Sequence, residues 1–202
     1  MTSLLIGLGN PGSGYALNRH NVGFMAVDRI AESYSFSRWS ARFGGQIAEG
    51  IIDGNKTYAF KPMSYMNLSG NPAGELVRFY KIALSSITVI HDELDLPLCK
   101  LRVKRGGGHG GHNGLKSLDE HLGKDYQRVR FGIGHPGDKD AVSDYVLADF
   151  AKAERPQVDA CIDEISRHVT LLLQGDEAGF MNKIALAFQP AKPSNTKPTA
   201  QE

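Results

Sequence analysis

His20 and Asp92 are the pair in this chain best suited to activate a small molecule by moving a proton. Each comes after an apolar run that reads as a strand, Leu4 to Ile6 and Ser86 to His91. Loops at the carboxyl ends of strands gather on one rim of an α/β sheet. An aspartate that accepts a hydrogen bond from one imidazole nitrogen fixes the tautomer and steadies the imidazolium, so the other nitrogen becomes a competent base. Neither loop holds a serine or cysteine at a strained elbow, and the nucleophile such a base would activate is water. Asp95 competes with Asp92 for the partner's place. Asn10, Asn67 and Asn113 sit in three separate loops expected on the same rim. Their neutral amides can donate to a carbonyl or an oxyanion without adding charge. Taken singly, each of these five residues also fits a plain surface or turn role. Convergence is what would separate the two readings.

Four other patterns fail on spacing or setting. Gly7-x-Gly9-x-x-Gly12 matches the dinucleotide fingerprint after a strand. That fingerprint needs a helix opening at its third glycine and an acid about 20 residues on, at the end of a second strand. Here polar residues separate Gly12 from the next helix, and the nearest acids, Asp28 and Glu32, fall inside that helix. The run from Gly106 to Ser117 lacks the Gly-Lys-Ser adjacency of a phosphate loop, because Leu115 intervenes. His91, His109 and His112 lack helical metal-ligand spacing and have only Asp92 as a nearby carboxylate. Cys99 reads as an inward strand residue, a poor setting for a nucleophile.

These groups require a scaffold of alternating strands and helices. A helix is expected over Val22–Tyr34, with Asn21 as its N-cap and Val22, Met25, Ala26 and Ile30 facing inward. Gln46–Ile52 and Lys56–Lys61 read as strands joined by a hairpin at Asp53-Gly54-Asn55. A loop from Pro62 to Gly70 exposes two methionines and a tyrosine, and Pro72 suits the first turn of a helix running to Lys81. Leu98–Lys104 alternates as a half-buried strand with a basic face, and a helix begins near Asn113. Gln127–Gly134 is a further strand. Helices follow at Val158–Leu172, with Pro156 in the first turn, and at Asp176–Phe188. The expected fold class is α/β: a single domain with a central twisted mixed β-sheet flanked by helices. Residues 1–189 form that domain, and 190–202, almost without large apolar groups, read as a disordered tail.

A chain of 202 residues with 41% hydrophobic composition can bury one good core. Its net charge of +1 excludes a general polycation, so any anionic partner must meet a local patch. Such a patch lies between Lys100 and Arg130, where eight basic residues stand against three acids. Cys99 and Cys161 show neither metal nor redox spacing and are expected as core residues in a reducing compartment. With neither a signal peptide nor a membrane span in the pattern, a cytoplasmic protein is expected.

Several motifs converge on one family. Gly7-Leu-Gly-Asn-Pro-Gly12, Tyr15, Arg19-His-Asn21, Met66-Asn-Leu-Ser-Gly70, His91-Asp-Glu-Leu-Asp-Leu-Pro97, the glycine run from Gly106 to Leu115 and Arg130-Phe-Gly-Ile-Gly-His-Pro-Gly137 closely resemble the bacterial peptidyl-tRNA hydrolases. They run in order over nearly the whole folded part. The resemblance implies hydrolysis of the ester joining a peptide to the 3′ ribose of tRNA. It implies His20 as base and Asp92 as its orienting partner. Asn10, Asn67 and Asn113 would hold the peptide and the attacking water or oxyanion, and Tyr15 and Met66 would line the cleft. It also implies Lys104 and Arg130 as a clamp on the tRNA 5′ phosphate, a monomer, and no metal or other cofactor. Arg102 and Arg105 flank Lys104 and blur which cation meets phosphate, and Tyr65 beside Met66 alters the cleft wall. The rival class is a non-catalytic RNA-binding module that uses the basic strand and leaves His20 idle; a metal-dependent hydrolase is third.

Overall fold

Leu4, Leu5 and Ile6 form an unbroken apolar run, which suits a strand covered on both faces. In the computed structural model, which describes residues 2–189, β1 (Ser3–Gly7) is buried along its whole length. It pairs in parallel with β4 (Asn55–Pro62) on one side and β5 (Ile87–Glu93) on the other. With β2 (Ser40–Arg42), β3 (Gly45–Ile52), β6 (Leu101–Arg105) and β7 (Gln127–Gly132) it builds one seven-stranded mixed sheet in the order β2-β3-β4-β1-β5-β7-β6. The four inner strands are parallel, and both edges are antiparallel.

Alternation along β1 sends Leu5 to one face and Leu4 and Ile6 to the other. On the first face lie α1 (Val22–Ser33), α5 (Arg155–Leu173) and α6 (Glu177–Ala187), and on the second α2 (Gly70–Tyr80) and α3 (Asn113–Leu122). The chain leaves β1 for strands on one side and returns through β5 on the other. The carboxyl end of β1 is therefore a switch point, where the covering helices diverge and open a crevice.

Helix α1 meets β1 at backbone distance. A Cβ on Gly23 would lie 2.3 Å from the Ile90 carbonyl oxygen and 2.4 Å from the Leu8 nitrogen. Neither atom can retreat without breaking the sheet, since Leu8 N–H donates to the Ile90 carbonyl and Phe24 N–H to the Leu8 carbonyl. Gly23→Ala should destabilise the fold by about 3 kcal/mol, lowering Tm by roughly 6–12 °C. A calorimetric scan showing an unchanged Tm would refute this close approach.

The structure corrects several expectations. Cys99 takes a left-handed conformation (φ 60°), so Leu98–Lys100 is a turn and β6 starts only at Leu101. Its basic face is kept: Arg102 and Lys104 alternate with buried Leu101 and Val103. Met66 is buried rather than exposed, whereas Met63 and Tyr65 are exposed as expected. Asn21 precedes α1, yet its side chain makes no cap, because Asn10 holds it. Strand β2 and the short helix α4 (Val142–Leu147) were not expected. The hairpin turns on two residues, Asp53 and Gly54, both with positive φ, as a tight two-residue turn requires. The expected tail at 190–202 lies outside the described residues. Among those that are described, no helix is long and apolar enough to cross a membrane.

Candidate active site

The crevice at the carboxyl end of β1, β4 and β5 is an open cleft of about 1050 Å³. Asn10, Tyr15, His20, Met66, Asn67, Asp92 and Asn113, expected in this role from sequence, all line it. Asp92 comes from the end of β5, and His20 from a 3-10 turn, Arg19–Asn21, leading into α1. Met66 and Asn67 stand on a second such turn, Met66–Leu68, and Asn113 is the first residue of α3.

His20 Nδ1 lies 2.8 Å from Asp92 Oδ1. The same oxygen is 2.9 Å from Nε2 of His112, a residue the sequence reading considered only as a metal ligand. His112 caps α3: its Nδ1 accepts from the backbone N–H groups of Gly114 and Leu115. That nitrogen must carry a lone pair, so the ring proton belongs on Nε2 and is donated to Asp92. An ionised carboxylate offers only acceptors, hence His20 also donates from Nδ1, and in its neutral form the lone pair is on Nε2. Burial works against the ionised form of Asp92. The two imidazoles and their hydrogen bonds outweigh it and hold the carboxyl well below the usual carboxylate range.

A third imidazole stands behind these two. His91 is 1% exposed, donates from Nδ1 to the Asp92 carbonyl at 2.7 Å and meets the His112 ring edge to face. Burial pushes it down to about 3, so it stays neutral and takes no proton from the cleft.

Of the three amides only Asn10 is held by side-chain hydrogen bonds among the described residues, while Asn67 and Asn113 are exposed. Asn10 N–H donates to Asn21 Oδ1, and Asn21 Nδ2 donates back to the Asn10 carbonyl, both at 2.9 Å. Met66 N–H donates to Asn10 Oδ1 at 2.8 Å, which leaves the Asn10 NH₂ as the group available to a ligand. A Cβ on Gly114 would strike the Met66 sulfur at 2.5 Å, so that glycine lets Met66 close the floor. The walls mix signs, with Glu93, Asp95 and Glu120 lining them alongside Lys116 and Lys139.

Lys104 and Arg130 do not line the cleft. They sit on the adjoining β6–β7 edge, where Arg102 pairs in register with Arg130, and Lys104 with Arg128. Arg130 Nε is held by Glu93 at 2.8 Å. Arg105 is turned to the carbonyls of Asp125 and Ser85, and Arg128 is buried against Asp119. Arg102 is exposed and Lys104 half-buried.

Among the described residues, His20, Asp92 and His112 bring possible ligand atoms within 4.8 Å of one another. The residues do not fit a metal well. A cation on His112 Nε2 would have to displace the ring proton, while Nδ1 is already occupied by two backbone donors. His91, with Nδ1 bound to a carbonyl, does not converge with His109 and His112 on one point as the sequence alternative required.

From sequence, His112 reads only as a metal ligand and Asn21 only as a helix cap, Arg19 has no role beyond its motif, and α4 is not expected. A signal for His112 was present, since a helix starting at Asn113 puts it at the N-cap, on the same rim as Asn113. Helix α4 has six residues and no side-chain cap, and nothing in its pattern marks it.

A family model described as peptidyl-tRNA hydrolase matches residues 4–194. The peptidyl-tRNA hydrolase of Mesorhizobium japonicum is 57% identical over 183 residues, 91% of this chain and 76% of that protein. That of Paracoccus denitrificans is 54% identical over 195 residues, 96% and 83% of the two chains. The crystal structure of peptidyl-tRNA hydrolase from Acinetobacter baumannii superposes with a TM-score of 0.86 at 43% identity, covering 91% of this chain and 94% of the other. With the family model spanning almost every described residue and identities above one half, the chain belongs to the peptidyl-tRNA hydrolase family.

Proposed function

We propose that this enzyme hydrolyses the ester between a peptide and the 3′ ribose of tRNA with a water activated by His20. The observation that carries the reading is the Nδ1 contact of His20 with Asp92 at 2.8 Å, which leaves Nε2 as a base on the cleft surface. Water gives its proton to Nε2 as its oxygen attacks the ester carbonyl. Asp92 steadies the imidazolium that forms, and the proton passes on to the departing ribose oxygen. The Asn10 amide, with Asn67 and Asn113 from the other two loops, donates to the peptide or to the oxyanion. Tyr15 and Met66 shape the wall against the acyl group. We infer that the enzyme acts as a monomer, as the family resemblance implies.

Lys104 takes the tRNA 5′ phosphate, with Arg102 beside it. Arg130 contributes less, because Glu93 already neutralises it. The test is release of labelled peptide from N-acylated aminoacyl-tRNA across a salt series. Lys104→Ala should raise KM about tenfold, leave kcat nearly intact and reduce the salt slope by about one unit. Arg130→Ala should change KM less. Equal salt slopes for wild type and Lys104→Ala would remove the clamp, and binding without release would return the chain to the non-catalytic RNA-binding class.

A further inference from the structure

Arg19 precedes the proposed base directly, yet its side chain turns away from the cleft and is almost wholly buried. Its guanidinium lies 4.4 Å from the ring centre of Tyr145 and 5.3 Å from that of Phe150. Nη1 donates to the Asp149 carbonyl at 2.6 Å, and Nη2 to Glu154 Oε2 at 2.7 Å. That carboxylate also accepts from Ala151 N–H, so the segment between α4 and α5 folds around this one cation. Backbone bonds run alongside, from Arg19 N–H to the Ala148 carbonyl and from Phe150 N–H to the Leu17 carbonyl. Nε is buried without a partner among the described residues.

Two things are held together at this point. One is the turn that carries His20, whose far flank, Asn21, is tied to Asn10. The other is α4, which gives Val142, Ser143, Val146 and Leu147 to the cleft wall. A helix of six residues cannot keep its place by its own hydrogen bonds. We propose that Arg19 is a positioning residue that locks the base's turn to the α4 wall, so that His20 is aimed at Asp92 when that wall is seated. The proposal rests on His20 being the base.

Arg19→Met keeps most of the volume and removes the fork. It should lower kcat about 10–50-fold through misplacement of the base, with KM changed by no more than about threefold. In Arg19→Ala, dilute guanidinium should restore part of kcat, methylammonium should not, and His20→Ala should respond to neither. A wild-type kcat in Arg19→Met overturns the proposal. If Arg19→Met does not fold, Glu154→Ala removes one end of the tie and is read the same way: reduced kcat supports it, wild-type kcat overturns it. A readout without turnover is the downfield proton resonance of His20 Nδ1–H. Its shift or loss in either variant supports the coupling even in a chain that releases no peptide, and an unmoved resonance overturns it. Absence of release by wild type, by contrast, counts against the proposed function.

Discussion

His20→Ala should lower the rate of peptide release about a thousandfold and leave tRNA affinity unchanged. The size of the loss follows from what remains. His112 lies closest, its ring 4.9 Å from that of His20. It cannot serve as a base, since Nδ1 is filled by two backbone donors and Nε2 bears the proton given to Asp92. His91 is buried, neutral and turned into a carbonyl. His109 and His135 reach the cleft, but each spends Nδ1 on a backbone N–H, of Gly111 and Gly137, without a carboxylate behind it. Affinity should survive because the cations proposed to meet phosphate lie on the β6–β7 edge, which His20 does not touch. Single-turnover release with binding measured in parallel settles the matter: a variant with most of its rate intact takes the base role away from His20.

The convergence of His20 and Asp92 was legible because strand ends are legible. An apolar run followed by glycine and polar residues marks where a parallel strand stops, and parallel strands share a rim. The same logic put Asn10, Asn67 and Asn113 on that rim. What stayed hidden depended on contacts between residues far apart in the chain. Arg19 reads as a loop cation until Glu154, 135 positions later, folds over it. Asn21 reads as a cap until Asn10 competes for its amide. Met66 reads as exposed because its loop is polar, and only the bare face of Gly114 lets its sulfur in. At Leu98–Lys104 the alternating pattern suggested a longer strand than exists, for periodicity carries no sign of the left-handed turn at Cys99. On the β6–β7 edge the charges were countable from sequence, but the engagement of Arg130 by Glu93 was not.

Asp92→Asn should reduce kcat about 100-fold, short of the roughly 10⁴-fold loss that accompanies a wrong histidine tautomer. The reason is His112. Its Nε2–H needs an acceptor at position 92, and it cannot change tautomer while Gly114 and Leu115 donate to Nδ1. An asparagine there is held with its oxygen toward both rings. His20 keeps its proton on Nδ1 and its lone pair in the cleft, and only the charge that steadies the imidazolium is lost. Replacing His112 by alanine in the same chain frees the amide to rotate. Asp92→Asn with His112→Ala should then lose about a further 10-fold or more beyond the product of the single effects. Stability carries the matching signature. The folded-state pKa of Asp92 lies below its unfolded value, so its contribution is complete above the usual carboxylate range and fades as pH falls through the folded value. Asp92→Asn should flatten that part of the acid unfolding curve. Should the two substitutions simply multiply, His112 does not hold the oxygen in place; should Asp92→Asn alone leave the rate intact, the carboxylate is not the partner and Asp95 must be tested in its stead.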